Sequence, residues 1–242
     1  MSLLAIERLD VRHGQLQAVR DVSLAVREGE TLALVGANGA GKTTLLRAIA
    51  GAHPPAGGRV LLDGADVTQV PAHRRVAQGI ALVPEGRRLF PGMTVEENLL
   101  VASANGRPGP WTIERVLEVF PMLRARFRAK AGSLSGGEQQ ATAIGRGLLT
   151  NPRVLLLDEV SLGLAPVAVE RVYACLESLI SAGATLVLVE QDLGRALRVA
   201  TRVACMLEGR IVLEGAASGM TREQVTEAYF GLGRGALPKQ AA

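Results

Sequence analysis

The chain has 242 residues, 48% of them apolar, and a net charge of +4, which suits one domain of upper-end size or a core with a smaller lobe. No run approaches the roughly 18 uninterrupted apolar residues of a membrane span, and Met1 to Asp10 lacks the basic-then-apolar order of a secretion signal, so a cytosolic location is expected. Cys175 and Cys205 lack C-x-x-C spacing and read as buried free thiols, and an aromatic content of 3% leaves few platforms for nucleic-acid bases. The basic residues Arg87, Arg88, Arg124, Arg126, Arg128 and Lys130 therefore read as a solvated face, and no nucleic-acid partner is expected.

In chain order, Leu3 to Val26 is short-period and β-like, broken at His13-Gly14, and leads into an apolar strand, Thr31 to Val35. A glycine-rich loop follows, then a helix from Thr43 to Ala50. Arg59 to Leu62, the turn Asp63-Gly64 and Ala65 to Thr68 predict a hairpin, and Ile80 to Val83 a further strand. Thr94 and Glu97 form a capping box for a helix through Ala102, and Asn105 to Pro110 is a Gly/Pro loop. From Thr112, Ile113, Val116, Leu117, Phe120 and Leu123 recur at helical spacing, with Pro121 predicting a kink or break. The α/β rhythm then resumes: strand Arg153 to Leu157, helix Pro166 to Ala182 ended by Gly183, strand Thr185 to Val189, helix Asp192 to Ala200. Alternating strands and helices imply a mostly parallel sheet. A hairpin around Glu208-Gly209, a helix opened by Thr221 and Gln224, and a tail from Gly233 expected to be disordered complete the chain.

Gly36-Ala37-Asn38-Gly39-Ala40-Gly41-Lys42-Thr43 fits G-x-x-x-x-G-K-[ST] between a strand and a helix, the context this nucleotide-binding pattern requires. Glycines let backbone N–H groups curl around phosphate oxygens, and the following helix offers unpaired amides and the positive end of its dipole. Lys42 adds charge for the β- and γ-phosphates, and the Thr43 hydroxyl suits magnesium. The strand Val154 to Leu157 runs into Asp158-Glu159, delivering two carboxylates at the strand's C-terminal end, where ligands of open α/β sheets bind. Asp158 is expected to hold magnesium and Glu159 to act on the attacking water as base or orienter.

Leu134-Ser135-Gly136-Gly137-Glu138-Gln139-Gln140 adds a second capping box, Ser135 with Glu138, so that Gly136 and Gly137 open a helix with exposed amides. With the phosphate loop before it and Asp158-Glu159 after it, the chain resembles the ATP-binding-cassette (ABC) ATPases, whose signature is L-S-G-G-[EQ], over nearly its whole length. The resemblance implies an α/β fold of the P-loop NTPase type, with a mostly parallel sheet, an N-terminal antiparallel β subdomain and an inserted helical subdomain. It places the nucleotide-binding core at 1–89 and 150–232, the helical subdomain with the signature at 90–149, and the tail at 233–242. It also implies a composite site, in which two cassettes face each other head to tail and Ser135, Gly136, Gly137 and Glu138 close on the ATP of a partner. On the same resemblance Thr44 is expected to join Gly36 to Thr43 in holding the chain's own ATP.

Within that family, Val83-Pro84-Glu85-Gly86-Arg87-Arg88, Met93 to Leu99, Ser161-Leu162-Gly163-Leu164-Ala165-Pro166 and Val189-Glu190-Gln191 look most like the ATP-binding subunits of branched-chain amino-acid importers, the F-type partner of the pair. Glu85 stands where most cassettes have a glutamine that reaches magnesium, and a carboxylate can still do so. Gln191 stands where most have a histidine near the γ-phosphate; an amide can donate a hydrogen bond but does not titrate. His13 occupies the place of the adenine-stacking aromatic and covers less area. Val160, Thr142 and Gly147 also depart from the family pattern and read as drift with small local cost. The resemblance implies ATP hydrolysis driving uptake of branched-chain or other apolar amino acids at the cytoplasmic face of the inner membrane. Its partners would be a second identical or different cassette, two permease subunits and, indirectly, an extracytoplasmic binding protein. Urea or short amides as cargo, and a soluble cassette acting on a protein assembly, are the alternatives.

Overall fold

The computed structural model describes residues 2–104 and 106–232; Asn105 and the expected disordered tail from Gly233 lie outside them. Two sheets form the framework. The first is antiparallel and has the order β2-β1-β4-β5, built from β1 (Leu4–His13), β2 (Leu16–Val26), β4 (Gly57–Leu62) and the short β5 (Ala65–Asp66). The second has the order β10-β9-β3-β8-β7-β6, from β3 (Thr31–Val35), β6 (Ile80–Val83), β7 (Val154–Asp158), β8 (Leu186–Glu190), β9 (Arg202–Leu207) and β10 (Arg210–Ala216). Every pairing in it is parallel except the terminal hairpin of β9 and β10.

The central strands read as unbroken apolar runs because both their faces are covered, as in most parallel sheets. In β7, Leu155 and Leu157 point into a core shared with the helical segment, while Val154 and Leu156 point the other way, into the core beneath the antiparallel sheet. β8 repeats the alternation with Leu186 and Leu188 against Val187 and Val189. In β3, Leu32 and Leu34 join the antiparallel side, and Ala33 and Val35 face a third cluster with the C-terminal helices.

The eight described helices are α1 (Lys42–Ile49), α2 (Ala72–Gln78), α3 (Val95–Ser103), α4 (Ile113–Val119), α5 (Gly136–Leu148), α6 (Pro166–Ser181), α7 (Leu193–Val199) and α8 (Arg222–Phe230). Capping boxes open α3 at Thr94, α5 at Ser135 and α8 at Thr221. Pro121 does break the fourth helix: α4 ends at Val119 and the chain continues as a 3₁₀ turn over Pro121–Arg126. From β6 to β7 the chain is helical and packs as one cluster around Leu99, Phe120, Leu123 and Ile144. The basic residues of this stretch are partly paired: Arg126 meets Glu138 at 3.1 Å, Arg128 meets Glu96, and Arg87 donates to Gln139 Oε1 at 2.8 Å.

Two features of α5 that read as drift have packing reasons. Thr142 is fully buried and satisfies its hydroxyl by donating to the carbonyl of Glu138, one turn back, at 2.8 Å. Gly147 lies so close to the sheet that a Cβ there would sit 2.8 Å from Val83 Cγ2. Val160 is likewise buried, within the helical-side core.

Helix α2 escapes sequence reading because Ala72–Gln78 is short, polar and without a capping side chain. It nevertheless carries Arg75, which is 1% exposed. Its guanidinium donates to the carbonyls of Ala48 and Ile49 at the end of α1 (2.8 and 2.6 Å), and to those of Thr68 (2.6 Å) and Val70 (2.8 Å). A cation at a helix C-terminus is favoured by the macrodipole, and here it also satisfies carbonyls that the last turn leaves open. Burial holds the guanidinium below its ordinary pKa, a measure of the desolvation these bonds offset. Arg75→Met, which keeps the volume and strands the carbonyls, is expected to lower stability by about 3 kcal/mol. Urea unfolding would show this as a lower midpoint at constant slope; a loss below about 1 kcal/mol would mean that water replaces the guanidinium.

Candidate functional site

Four neighbouring parallel strands, β6, β7, β8 and β3, end along one edge of the second sheet. Just beyond or at those ends stand Glu85, Asp158 with Glu159, Glu190 with Gln191, and Gly36. Residues separated by more than a hundred positions in sequence thus meet because parallel strands all point the same way.

The phosphate loop leaves β3 at Gly36 and enters α1 at Lys42. Gly36 has φ 150° and Gly41 φ 104°, and both are pressed against other backbone: a Cβ would lie 2.2 Å from the Met206 carbonyl oxygen at Gly36 and 2.3 Å from that of Ala18 at Gly41. Only glycine fits either place. The turn between β9 and β10 holds the loop from below, since the N–H of Gly209 donates to the Ala40 carbonyl at 3.0 Å and that of Arg20 to the Gly209 carbonyl at 2.8 Å. A Cβ on Gly209 would itself approach Ala18 O to 2.8 Å. Gly41 provides no side chain to cap α1, so the first amides of the helix stay available to an anion. Lys42, 4% exposed, folds back and donates from Nζ to the carbonyls of Gly36 (2.7 Å) and Ala37 (3.0 Å). Burial lowers its pKa, while Glu159, 4.0 Å away, opposes the shift.

Thr43 Oγ1 donates to Asp158 Oδ1 at 2.9 Å. Asp158 is 1% exposed, and its second oxygen, Oδ2, is buried without a hydrogen-bond partner. Burial raises its pKa, with the negative charges of Glu159 and Glu85 adding to the effect. An orphaned carboxylate oxygen beside a threonine hydroxyl, with a further carboxylate near, is an all-oxygen donor set of the kind a hard divalent cation requires.

Glu159 adopts φ 49°, a left-handed backbone uncommon outside glycine and costly for a non-glycine residue. Its N–H donates to the Val189 carbonyl at 3.2 Å, and its Oε2 accepts from Gln191 Nε2 at 2.7 Å. Glu159, Gln191 and Asp192 line one cleft of about 190 Å³ with Ser161, Leu162 and Gly163. At the other flank of the loop, His13 Nε2 lies 3.1 Å from Thr44 Oγ1, and its ring sits 4.5 Å from that of His53, a neighbour that no motif announces.

Ser135, Gly136, Gly137 and Glu138 stand at the start of α5 and bond mainly among themselves. Ser135 N donates to Glu138 Oε2 (2.8 Å) and Glu138 N to Ser135 Oγ (3.4 Å). Gly136 packs near Leu164, and Gly137 close to Ala168. Burial opposes ionisation of Glu138, but the bonds from Ser135 and Arg126 prevail and hold its carboxyl below the usual range. Among the described residues, no hydrogen bond or ion pair joins these four to the phosphate loop.

Comparison with known proteins agrees with this geometry. The sequence profile of the ABC transporter family matches residues 19–161. The high-affinity branched-chain amino acid transport ATP-binding protein BraG of Pseudomonas aeruginosa is 41% identical over 232 residues, covering 95% of this chain and 100% of its own. Among solved structures, the ADP conformation of MJ1267, an ATP-binding cassette of an ABC transporter, aligns with a TM-score of 0.82 at 28% identity, covering 96% of this chain and 99% of that one. A dimeric post-hydrolysis state of the cassette MJ0796 bound to ADP and Pi aligns with a TM-score of 0.77 at 27% identity, covering 90% and 100%. With a phosphate loop, an Asp-Glu strand end and a capped signature helix set in this framework, the chain belongs to the ABC transporter family and is one of its nucleotide-binding ATPase cassettes.

Proposed function

We propose that this cassette hydrolyses ATP to drive import of branched-chain or other apolar amino acids, and that Lys42, Thr43, Asp158, Glu159 and Gln191 carry the reaction. The hydrolytic assignment is supported above all by one observation: the C-terminal ends of strands β7 and β8 bring Glu159 and Gln191 into a 2.7 Å contact, with Glu159 4.0 Å from Lys42 of the phosphate loop. The cargo assignment is supported by the likeness to BraG over that protein's full length.

In this reading the loop from Gly36 to Thr43, with Thr44, wraps the phosphates. Lys42 gives up its bonds to the loop carbonyls for the β- and γ-phosphate oxygens, while His13 lies against the adenine. Thr43 and Asp158 would hold magnesium with Glu85 close by, and the ion when bound neutralises the charge that accumulates on the phosphate oxygens. Glu159 accepts the proton of the attacking water, and Gln191, as donor to Oε2, keeps that carboxylate aimed. Because no hydrogen bond or ion pair among the described residues joins Ser135, Gly136, Gly137 and Glu138 to the chain's own loop, they are assigned to the ATP of a second cassette, identical or different. The dimer of MJ0796 supports such a pairing. The likeness to BraG, a transport ATP-binding protein, supports a peripheral subunit on the cytoplasmic face, bound to two permease subunits and served by an extracytoplasmic binding protein; no helix of the described residues is long and apolar enough to cross a membrane.

Glu159→Gln should leave ATP bound and slow steady-state turnover by about 10²-fold or more; unchanged turnover would remove Glu159 from the role of base. Lys42→Ala acts one step earlier. It is expected to weaken ATP binding at least about thirtyfold, the equivalent of about 2 kcal/mol for loss of a desolvated cation, as read by equilibrium binding. Reconstituted in vesicles with its permease pair and a second cassette, the protein should show ATPase stimulated by binding protein loaded with leucine. Stimulation by a urea-loaded or short-amide-loaded protein alone would reassign the cargo, and no stimulation by any of them would overturn the importer assignment.

A further inference from the structure

One carboxylate at the nucleotide edge has no part in the reaction just described. Glu190 ends β8, lies opposite Val35 in the register with β3, and is 2% exposed. The rest of β8 is Leu-Val-Leu-Val, and an apolar residue would continue that pattern at lower desolvation cost. A buried carboxylate is tolerated only when its oxygens are satisfied. Here both are: Oε1 accepts from the Tyr173 hydroxyl at 2.5 Å, and Oε2 accepts from the main-chain N–H of Gln191 at 3.2 Å.

Tyr173 is held as firmly as its partner. It is fully buried in α6, and the Arg198 guanidinium stands 5.3 Å from its ring centroid. Arg198 is in turn fixed by Glu170 at 3.0 Å and Glu177 at 3.1 Å, both on α6. Burial and the neighbouring charge of Glu190 push the phenol's pKa far up, so the hydroxyl keeps its proton and acts as donor. The bond that Glu190 accepts from its successor's N–H then fixes the direction in which the chain leaves the strand. That direction decides where the side chain of Gln191 points, and Gln191 Nε2 meets Glu159 Oε2 at 2.7 Å. The Glu159 backbone, in its costly left-handed conformation, leans on the carbonyl of Val189, one residue before Glu190.

We propose that Tyr173 and Glu190 are positioning residues for hydrolysis: the phenol anchors the buried carboxylate, the carboxylate fixes the Gln191 main chain, and Gln191 thereby aims Glu159. This rests on the assignment of Glu159 as base. The Tyr173 hydroxyl bonds Glu190 and no residue of the phosphate loop, so its removal is expected to fall on turnover and not on nucleotide affinity.

The test uses the assembled transporter and ATP turnover sensitive enough to quantify residual rates, with equilibrium ATP binding measured in parallel. Tyr173→Phe removes one oxygen and keeps the ring. It is expected to lower kcat about tenfold, the loss of one well-placed hydrogen bond, with the ATP dissociation constant changed less than about twofold. In a Gln191→Ala background the same substitution should have no further effect, because the residue through which it acts is gone. An equal loss in both backgrounds would show general loosening of the core and overturn the proposal, as would an unchanged kcat in Tyr173→Phe. Should that variant fail to fold, Glu190→Leu replaces it: the apolar side chain accepts from neither the tyrosine nor the Gln191 N–H, and the same kcat defect and the same silence in the Gln191→Ala background are required. Full activity in Glu159→Gln would instead defeat the underlying assignment, an outcome visible separately from those of Tyr173 and Glu190.

Discussion

Everything at the nucleotide edge depends on one short helix being held still at both ends. α1 spans only Lys42–Ile49, too few residues to be stable alone. Its N-terminal amides carry no side-chain cap, which leaves them open to the phosphates assigned to this loop. The fold substitutes steric confinement at that end, where Gly41 is wedged against the Ala18 carbonyl, and charge at the other, where Arg75 closes on the carbonyls of Ala48 and Ile49. The binding end is thus kept open because the far end is closed.

The parallel sheet converts this fixed helix into a site. Strands running the same way deliver their C-terminal residues to one line, and each contributes a different chemical capacity: backbone amides and an ammonium after β3, carboxylates after β7, an amide donor after β8, a further carboxylate after β6. The groups differ in how they are restrained. Asp158 retains an unpartnered buried oxygen, a cost that native structures rarely carry without a ligand to relieve it. Lys42, by contrast, is satisfied by its own loop's carbonyls, bonds that in the proposed reaction it exchanges for phosphate oxygens. Glu159 and Gln191 are already paired. The edge therefore combines one group in deficit, one with interchangeable partners and one pair set in advance.

Local patterns carried most of this into the sequence, and the exceptions share a cause. The phosphate loop, the Asp158-Glu159 strand end and the boxes at Ser135 and Thr94 are legible because their chemistry lies within a few consecutive residues. The apolar runs of β3, β7 and β8 are legible because both faces of each are buried. What escaped depends on contacts between distant segments. Arg75 reads as one more charge on a short polar stretch until its four backbone acceptors are seen. His53 meets His13 across 40 positions, and Tyr173 finds Glu190 from another element. Gly147 and Thr142 look like poor helix formers, yet one permits close packing on Val83 and the other bonds its own helix. Propensity describes a residue against solvent, whereas these were chosen against a neighbour.

The phosphate loop is braced by parts of the chain on both sides of it in sequence: the Ala18 carbonyl comes from β2, while the Met206 carbonyl and the Gly209 N–H come from the β9–β10 hairpin. During synthesis β2 and the loop emerge before the hairpin, with the whole helical segment between them. A nascent chain therefore displays the complete loop sequence long before it possesses the loop's supports. Competence to hold a nucleotide is in this sense acquired late, when the β9–β10 hairpin seats against β2.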